Sequence, residues 1–314
     1  MVNSISIVFA TFNGASTIEK TLQSMKNLNH HGGIKFNIVV VDNASNDNTL
    51  EILQKYSNTL PLIILQENKK GKNAALNKAL TIIDDLGELI IFSDDDVIFS
   101  ANVLERYVEL ANKESEFSLF GGQIIPHWLE RPSDALLQGI PQTVAFALTS
   151  NDDGYQKGPI ASIKIHGPNM AVRKKIFAGG LSFNENIGPN GNNYVMGSET
   201  DFLYRTELEG FHAFYDPSII VEHIIRTYQF ETYWLKNRAF KAGRSLYHAQ
   251  VRNGEDTTCN TFMKYPRWAL KKYILEKAKM YFNYVLRNKE AWYRSLWKAN
   301  HLLGYIFEYK SHVK

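Results

Sequence analysis

Glu88-Leu89-Ile90-Ile91-Phe92-Ser93-Asp94-Asp95-Asp96-Val97 is the stretch on which the reading of this chain turns. Residues 89–92 form an unbroken apolar run, the pattern of a strand covered on both faces. The run delivers three consecutive carboxylates to its end. Like charges so close raise one another's pKa and resist ionisation. A hard divalent cation removes that cost, because Mg²⁺ and Mn²⁺ prefer carboxylate oxygens and bridge to a ligand's phosphates. In an open α/β sheet the ligand crevice lies at the carboxyl ends of the strands, where this triplet falls. The competing reading is an acidic loop that caps a helix starting near Ser100.

Upstream, residues 5–10, 36–41 and 61–65 read as three more apolar strands. Helices alternate with them at 15–28, where Ile18, Leu22 and Met25 share a face, at 50–56 and at 73–84. Ser45-Asn46-Asp47 offers capping side chains to the second helix. The opening is therefore a βαβαβαβ unit, a doubly wound and mostly parallel sheet. Beyond a helix at 102–113 the pattern changes. Longer strands at 117–125 and 163–172 are separated by a flexible loop at 150–159. The Gly/Asn-rich segment Gly188-Pro189-Asn190-Gly191-Asn192-Asn193 precedes a helix at 199–209, and 218–223 is the last strand. From Phe230 onward the chain reads as helical and aromatic-rich.

At 314 residues, 44% hydrophobic and 21% charged, the composition is that of a soluble globular chain with one large core or two domains. There is no apolar run of spanning length and no basic, cleavable leader pattern, so neither a membrane helix nor a secretory signal is expected. A lone cysteine, Cys259, excludes an internal disulfide and a cysteine-based zinc site, and fits a reducing compartment. The net charge of +3 hides an asymmetry: residues 264–314 hold 12 Lys/Arg against 3 Asp/Glu. A basic tail on a mildly acidic body points to an anionic partner.

The first strand ends Phe9-Ala10-Thr11-Phe12-Asn13-Gly14, without the Gly-x-Gly-x-x-Gly of a dinucleotide site, and no phosphate-binding-loop motif occurs elsewhere. The second strand ends Val40-Val41-Asp42-Asn43-Ala44-Ser45. Its carboxylate and amide can bind a base or ribose edge, or Asp42 can equally stabilise an Asx-turn.

Several motifs in order resemble the family 2 glycosyltransferases, which share the GT-A fold. Ser6-Ile7-Val8-Phe9-Ala10-Thr11-Phe12-Asn13 is similar to that family's opening strand, and Val39-Val40-Val41-Asp42-Asn43-Ala44-Ser45-Asn46-Asp47-Asn48-Thr49 to its Val-Val-Asp element. Glu67-Asn68-Lys69-Lys70-Gly71-Lys72-Asn73-Ala74-Ala75-Leu76-Asn77 resembles its Asn-x-Gly segment, and Asp94-Asp95-Asp96 its Asp-x-Asp metal motif. Gly167-Pro168-Asn169-Met170-Ala171-Val172-Arg173 and Gly197-Ser198-Glu199-Thr200-Asp201 resemble its acceptor-side strand and acidic helix start. The last departs from the family pattern, with Ser198-Glu199 replacing Glu-Asp.

The resemblance implies a metal-dependent inverting transferase. It would move a sugar from a nucleotide-diphosphate sugar, with UDP the default, to a glycan or lipid-linked acceptor. Residues 1–228 would form the catalytic domain, split into a nucleotide-sugar half (1–113) and an acceptor half (114–228) whose smaller mixed sheet merges with the parallel one. Residues 229–314 would be a helical appendage. Ala10, Thr11, Asn13, Asp42, Asn43, Lys69, Lys72, Asp94 and Asp95 would line the donor site. Asp94 and Asp96, with His223, would hold Mg²⁺ or Mn²⁺. Glu199 would be the general base, with Asp201 the alternative, and His166 reads as structural. A sugar-1-phosphate nucleotidyltransferase or a non-catalytic sugar-binding module are the competing functions; the first lacks its Gly-rich basic loop after strand one.

In the tail, Leu270, Ile274, Ala278, Tyr281 and Val285 follow one helical stripe beside Lys264, Arg267, Lys271, Lys272 and Lys279. Trp268, Trp292 and Trp297 add amphipathic rings. The stripe either packs on the catalytic domain or rests on an anionic membrane. Lipid-linked acceptors of the resembled class favour the membrane, and with it a cytoplasmic enzyme peripheral on that face. No nucleic-acid motif accompanies the charge.

Overall fold

The computed structural model describes residues 1–31, 33–150, 154–189, 195–257 and 259–312. Parts of the expected 150–159 and 187–195 loops, and most of the Gly/Asn-rich segment, lie outside the described residues. The chain divides into two compact units. One comprises Met1–His127, Ala147–Asn193 and Gly197–Ile224; the other comprises Trp128–Phe146, Tyr194–Met196 and Ile225–Lys314.

In the first unit the strands β1 (Ser4–Thr11), β2 (Lys35–Asp42), β3 (Leu62–Gln66) and β4 (Leu89–Asp94) run parallel. They alternate with helices α1 (Ile18–Met25), α2 (Thr49–Ser57) and α3 (Lys72–Leu80). The apolar runs are buried on both faces: Ile7, Val8, Phe9, Ile38, Val39, Val40, Val41 and Leu89 to Ile91 are almost inaccessible. That double coverage is why the runs do not alternate in polarity. Asp47 supports the start of α2, its carboxylate accepting from Thr49 and Ala15 N–H groups.

After β4, a two-residue turn leads to β5 (Val97–Phe99), then α4 (Val103–Lys113) and β6 (Leu119–Trp128). β7 (Gly158–Ile160), β8 (Met170–Arg173), α7 (Ser198–Leu208) and β9 (Ala213–Ile225) complete this unit. A single nine-stranded sheet has the order β3-β2-β1-β4-β8-β6-β9-β5, with β7 also on β9. β8 enters antiparallel to β4, and β5 and β7 lie antiparallel to β9. The smaller mixed sheet expected from the sequence is thus continuous with the parallel one.

Two expectations shift, and one strand was not expected at all. Of 163–172 only Met170–Arg173 pairs as a strand, while residues 162–164 and 167–169 make 3-10 turns. Pro168 has no N–H to give a ladder. β9 begins well before residue 218, passing through Pro217, and β5 has no apolar run long enough to announce it.

The second unit holds α5 (Asp134–Gly139), α6 (Gln142–Phe146), α8 (Thr232–Arg252), α9 (Arg267–Val285) and α10 (Lys289–His312), with a hairpin of β10 (Thr261–Phe262) and β11 (Tyr265–Pro266). α8 and α10 cross at glycines. A Cβ on Gly243 would overlap the His301 carbonyl oxygen, and one on Gly304 would overlap that of Phe240. Tyr247, Ala269, Tyr305, Ile306 and Tyr309 form the local core. On α9 only Ala269 and Glu276 are buried.

Candidate active site

Strand register gathers the acidic residues. β1 lies between β2 and β4, so Ala10 pairs with both Val41 and Asp94, and Thr11 with Asp42. Three strands that share one direction therefore end their polar residues on one edge, the usual place for a ligand in a parallel sheet. Thr11 Oγ1 donates to Asp95 Oδ2 at 2.5 Å. Gly14 permits that contact, because a Cβ there would overlap both oxygens.

The neighbouring loop is built by amides. Asn13, in the left-handed region at φ 53°, accepts from Asn46 N–H and takes Ser45 Oγ with its own N–H. Asp42 is buried and accepts from Ser45 N–H at 3.3 Å, the turn-stabilising arrangement. Asn43 donates to the carbonyls of Glu67 and Lys69 and accepts from Gly71 N–H. Its side chain holds the loop that leads into α3. Lys69 is largely exposed and pairs with Glu185.

Lys72 starts α3 and turns inward. Its Nζ is 2.5 Å from Asp94 Oδ1 and 2.6 Å from Glu199 Oε1. Glu199 reaches it because Phe202, one helical turn later on α7, is anchored in the core, stacked on Phe183 at 4.5 Å. Residues three apart share a helix face. Gly167 gives the carboxylate room, since a Cβ there would stand 2.6 Å from Glu199 Oε1. Burial pushes the Lys72 ammonium down, but Asp94 and Glu199 override it and hold its pKa above the ordinary 10.5. Burial likewise raises both carboxyls. Lys72 nonetheless brings Glu199 down to about 2, while Asp94, which also faces Asp96 and Glu199, stays above its ordinary 3.8.

The turn after β4 is tied to β9. Val97 is in register with His223, and Ile224 N–H donates to the Asp96 carbonyl at 2.8 Å. This brings His223 Nε2 to 3.2 Å from Asp96 Oδ1. The triplet does not cap a helix: β5 intervenes and α4 begins only at Val103. Asp201 points elsewhere, accepting from Arg205 Nε, whose other end holds the Ser182 carbonyl. His166 Nε2 lies 2.7 Å from Tyr155 Oη.

The donor set fits a hard divalent ion. Asp94 and Asp96 offer carboxylate oxygens whose repulsion Lys72 offsets only in part, since Asp94 stays above its ordinary pKa, and His223 adds an imidazole at the same turn. Sequence reasoning missed Asn73 and Asn77, which hold the 182–187 segment. Asn73 donates to the Asn184 and Ile187 carbonyls, and Asn77 clasps Phe183 through both its N–H and carbonyl. Two asparagines four apart inside a helix were the available signal, since Asn disfavours helix interiors unless its side chain has work to do. A cleft of about 720 Å³ among Glu19, Tyr56, Phe99 and His127 shares no residue with this site.

A family model described as Glycosyl transferase family 2 matches residues 6–178. The uncharacterized glycosyltransferase YfnE of Bacillus subtilis is 27% identical over 134 residues, 40% of this chain, which span only 32% of YfnE. The poly(ribitol-phosphate) beta-N-acetylglucosaminyltransferase TarS of Staphylococcus aureus is 32% identical over 102 residues, 32% of this chain and 17% of TarS. The structure of TarS 1–349 with UDP superposes with a TM-score of 0.54 at 16% identity, covering 96% of this chain and 90% of that one. The mannosyltransferase PcManGT of Pyrobaculum calidifontis, solved with GDP-Man and Mn²⁺, gives 0.56 at 20% identity, covering 80% and 64%. These structural likenesses establish a GT-A fold.

Proposed function

The chain belongs to glycosyl transferase family 2, and from that membership we propose that it moves a sugar from a nucleotide-diphosphate donor to a hydroxyl of a glycan or lipid-linked acceptor, inverting the anomeric carbon. UDP is the proposed nucleotide, as in the TarS complex. The observation that carries this reading is the Lys72 ammonium between Asp94 and Glu199 at the strand ends. It joins the residue proposed to face the diphosphate to the one proposed to face the acceptor.

Asp94, Asp96 and His223 are the residues that would hold Mg²⁺ or Mn²⁺. When bound, the ion stabilises charge that grows on the departing diphosphate. Ala10, Thr11 and the loop ordered by Asn13 and Asn43 form the nucleotide wall, with Asp42 beneath it. Asp95, held by Thr11, faces the sugar.

Glu199 is the proposed general base, and Asp201, committed to Arg205, supports the helix start. At neutral pH Glu199 is ionised, as a base must be, but a carboxylate with pKa about 2 is weak. A donor diphosphate competes for the Lys72 ammonium. As Lys72 leans toward the phosphates, Glu199 loses its counter-charge and becomes more basic. Donor binding thereby prepares the base, and the acceptor hydroxyl gives up its proton to Glu199 as its oxygen attacks opposite the leaving diphosphate.

For the tail, the proposal is peripheral contact with an anionic membrane. Ile274, Tyr281, Phe282, Tyr284 and Val285 on α9 are more than half exposed, beside exposed Lys271, Lys272 and Lys279. Apolar and aromatic side chains flanked by lysines suit the headgroup boundary. No helix among the described residues is long and apolar enough to cross a membrane.

The test is transfer and hydrolysis assayed over a panel of nucleotide sugars, with and without Mn²⁺. One donor turned over only with the metal is the expected result. Failure of every nucleotide sugar to bind would sink the proposal.

A further inference from the structure

α8 and α10 bring together three side chains that the proposed transfer does not use. His248 on α8 meets Glu308 and His312, one turn apart on α10. His248 Nε2 is 2.8 Å from Glu308 Oε1, and His312 Nδ1 is 3.9 Å from the same oxygen. All three donor atoms lie within 4.8 Å of one another. Ligand atoms around a tetrahedral ion stand roughly 3.3 Å apart, given metal–ligand bonds of about 2.0–2.2 Å. The observed separations straddle that value.

The carboxylate is already oriented for such a role. Glu308 is buried, and its Oε2 accepts from Arg244 Nε at 2.5 Å, which leaves Oε1 toward the two imidazoles. Fixing a ligand through its other atom is how proteins orient metal-binding side chains. The imidazoles are reachable, with side-chain exposures of 39% for His248 and 47% for His312. Two imidazoles and one carboxylate suit Zn²⁺ better than Mg²⁺, so this donor set differs in kind from the oxygen-rich strand-end turn.

We propose that His248, Glu308 and His312 bind one Zn²⁺ ion, with water completing the shell, and that the ion clamps α8 to α10. Entry of the ion replaces the His248–Glu308 hydrogen bond. It also draws His312 Nδ1 from the Glu308 main-chain carbonyl, now 2.9 Å away. Each neutral ring then carries its proton on the nitrogen that does not ligate.

The test is calorimetric titration of the full chain with Zn²⁺ in saturating Mg²⁺, alongside thermal unfolding. The expected result is one ion per chain and a raised Tm. His248→Ala and His312→Ala, at partly exposed positions, should each weaken binding at least about tenfold and remove the Tm rise. Both variants should keep their sugar-transfer activity, and Asp96→Asn should keep the Zn²⁺. The proposal is overturned if the wild type binds no Zn²⁺ under these conditions. It is equally overturned if binding survives in the double histidine variant, or vanishes in Asp96→Asn.

Discussion

The Lys72 ammonium and the Glu199 carboxylate stand 2.6 Å apart although 127 positions separate them in the chain. If Glu199 is the base, Glu199→Gln keeps its shape but replaces the carboxylate with a neutral amide that cannot take the proton. Transfer should fall by roughly 10²- to 10⁴-fold while donor binding persists. Lys72→Met takes away the charge that holds Glu199 at about 2. The Glu199 pKa then rises, so the acid limb of the kcat/KM profile should move to higher pH. Near-normal turnover of Glu199→Gln would shift the assignment to Asp201.

If Asp94 and Asp96 hold the metal as proposed, Asp94→Asn and Asp96→Asn each replace a charged oxygen ligand with a neutral amide and remove half of a like-charge pair. Both should raise the Mn²⁺ concentration needed for half-maximal activity, with His223→Ala showing a smaller shift. An activation curve unchanged in all three would remove this turn from metal binding.

Gly304→Ala places a methyl into the Phe240 carbonyl where α8 and α10 cross. Overpacking against backbone is expected to cost about 1–3 kcal/mol or more, read by denaturant unfolding. Gly179→Ala, with nothing within 4 Å of the added carbon, serves as the control and should be nearly neutral.

Asp216 is nearly buried and accepts from Lys157 Nζ at 2.6 Å and from Ser218 N–H. Burial raises its carboxyl, but these partners outweigh it and hold the pKa below the ordinary 3.8. A depressed folded-state pKa stabilises the fold above the unfolded value and stops doing so as pH falls through the folded one. Asp216→Asn should therefore cost about 1–3 kcal/mol at pH 7. The difference in Tm from wild type should narrow steadily below about pH 4. A gap that stayed constant with pH would show that the charge is irrelevant.

On α9, Tyr281→Ser with Phe282→Ser removes exposed rings without touching the buried Ala269. The double variant should bind anionic liposomes more weakly than wild type, as should Lys271→Glu with Lys272→Glu. Equal sedimentation with liposomes for all three proteins would argue that this face meets something other than lipid.

The parallel half of the sheet was legible because local patterns suffice there. Apolar runs, turn residues and helical faces all point the same way between residues 4 and 94. The Asp triplet was legible as a charge problem in need of a cation. What escaped depends on pairings far apart in sequence. Nothing around Val97 announces β5, since its partner His223 lies in another strand. Lys72 could be recognised as a cation near phosphates, but not as the bridge between Asp94 and Glu199, because α7 is positioned by Phe202 and Phe183. The glycines at 243 and 304 look costly inside helices until the crossing explains them.

Lys72 has a further consequence, for how the protein is made. Two half-buried carboxylates held together with no cation would oppose folding until an ion arrived, as zinc-dependent domains do. Here the chain supplies its own counter-ion to Asp94 and Glu199. With that charge in place, the approach of Asp94 to Glu199 does not itself call for a metal ion.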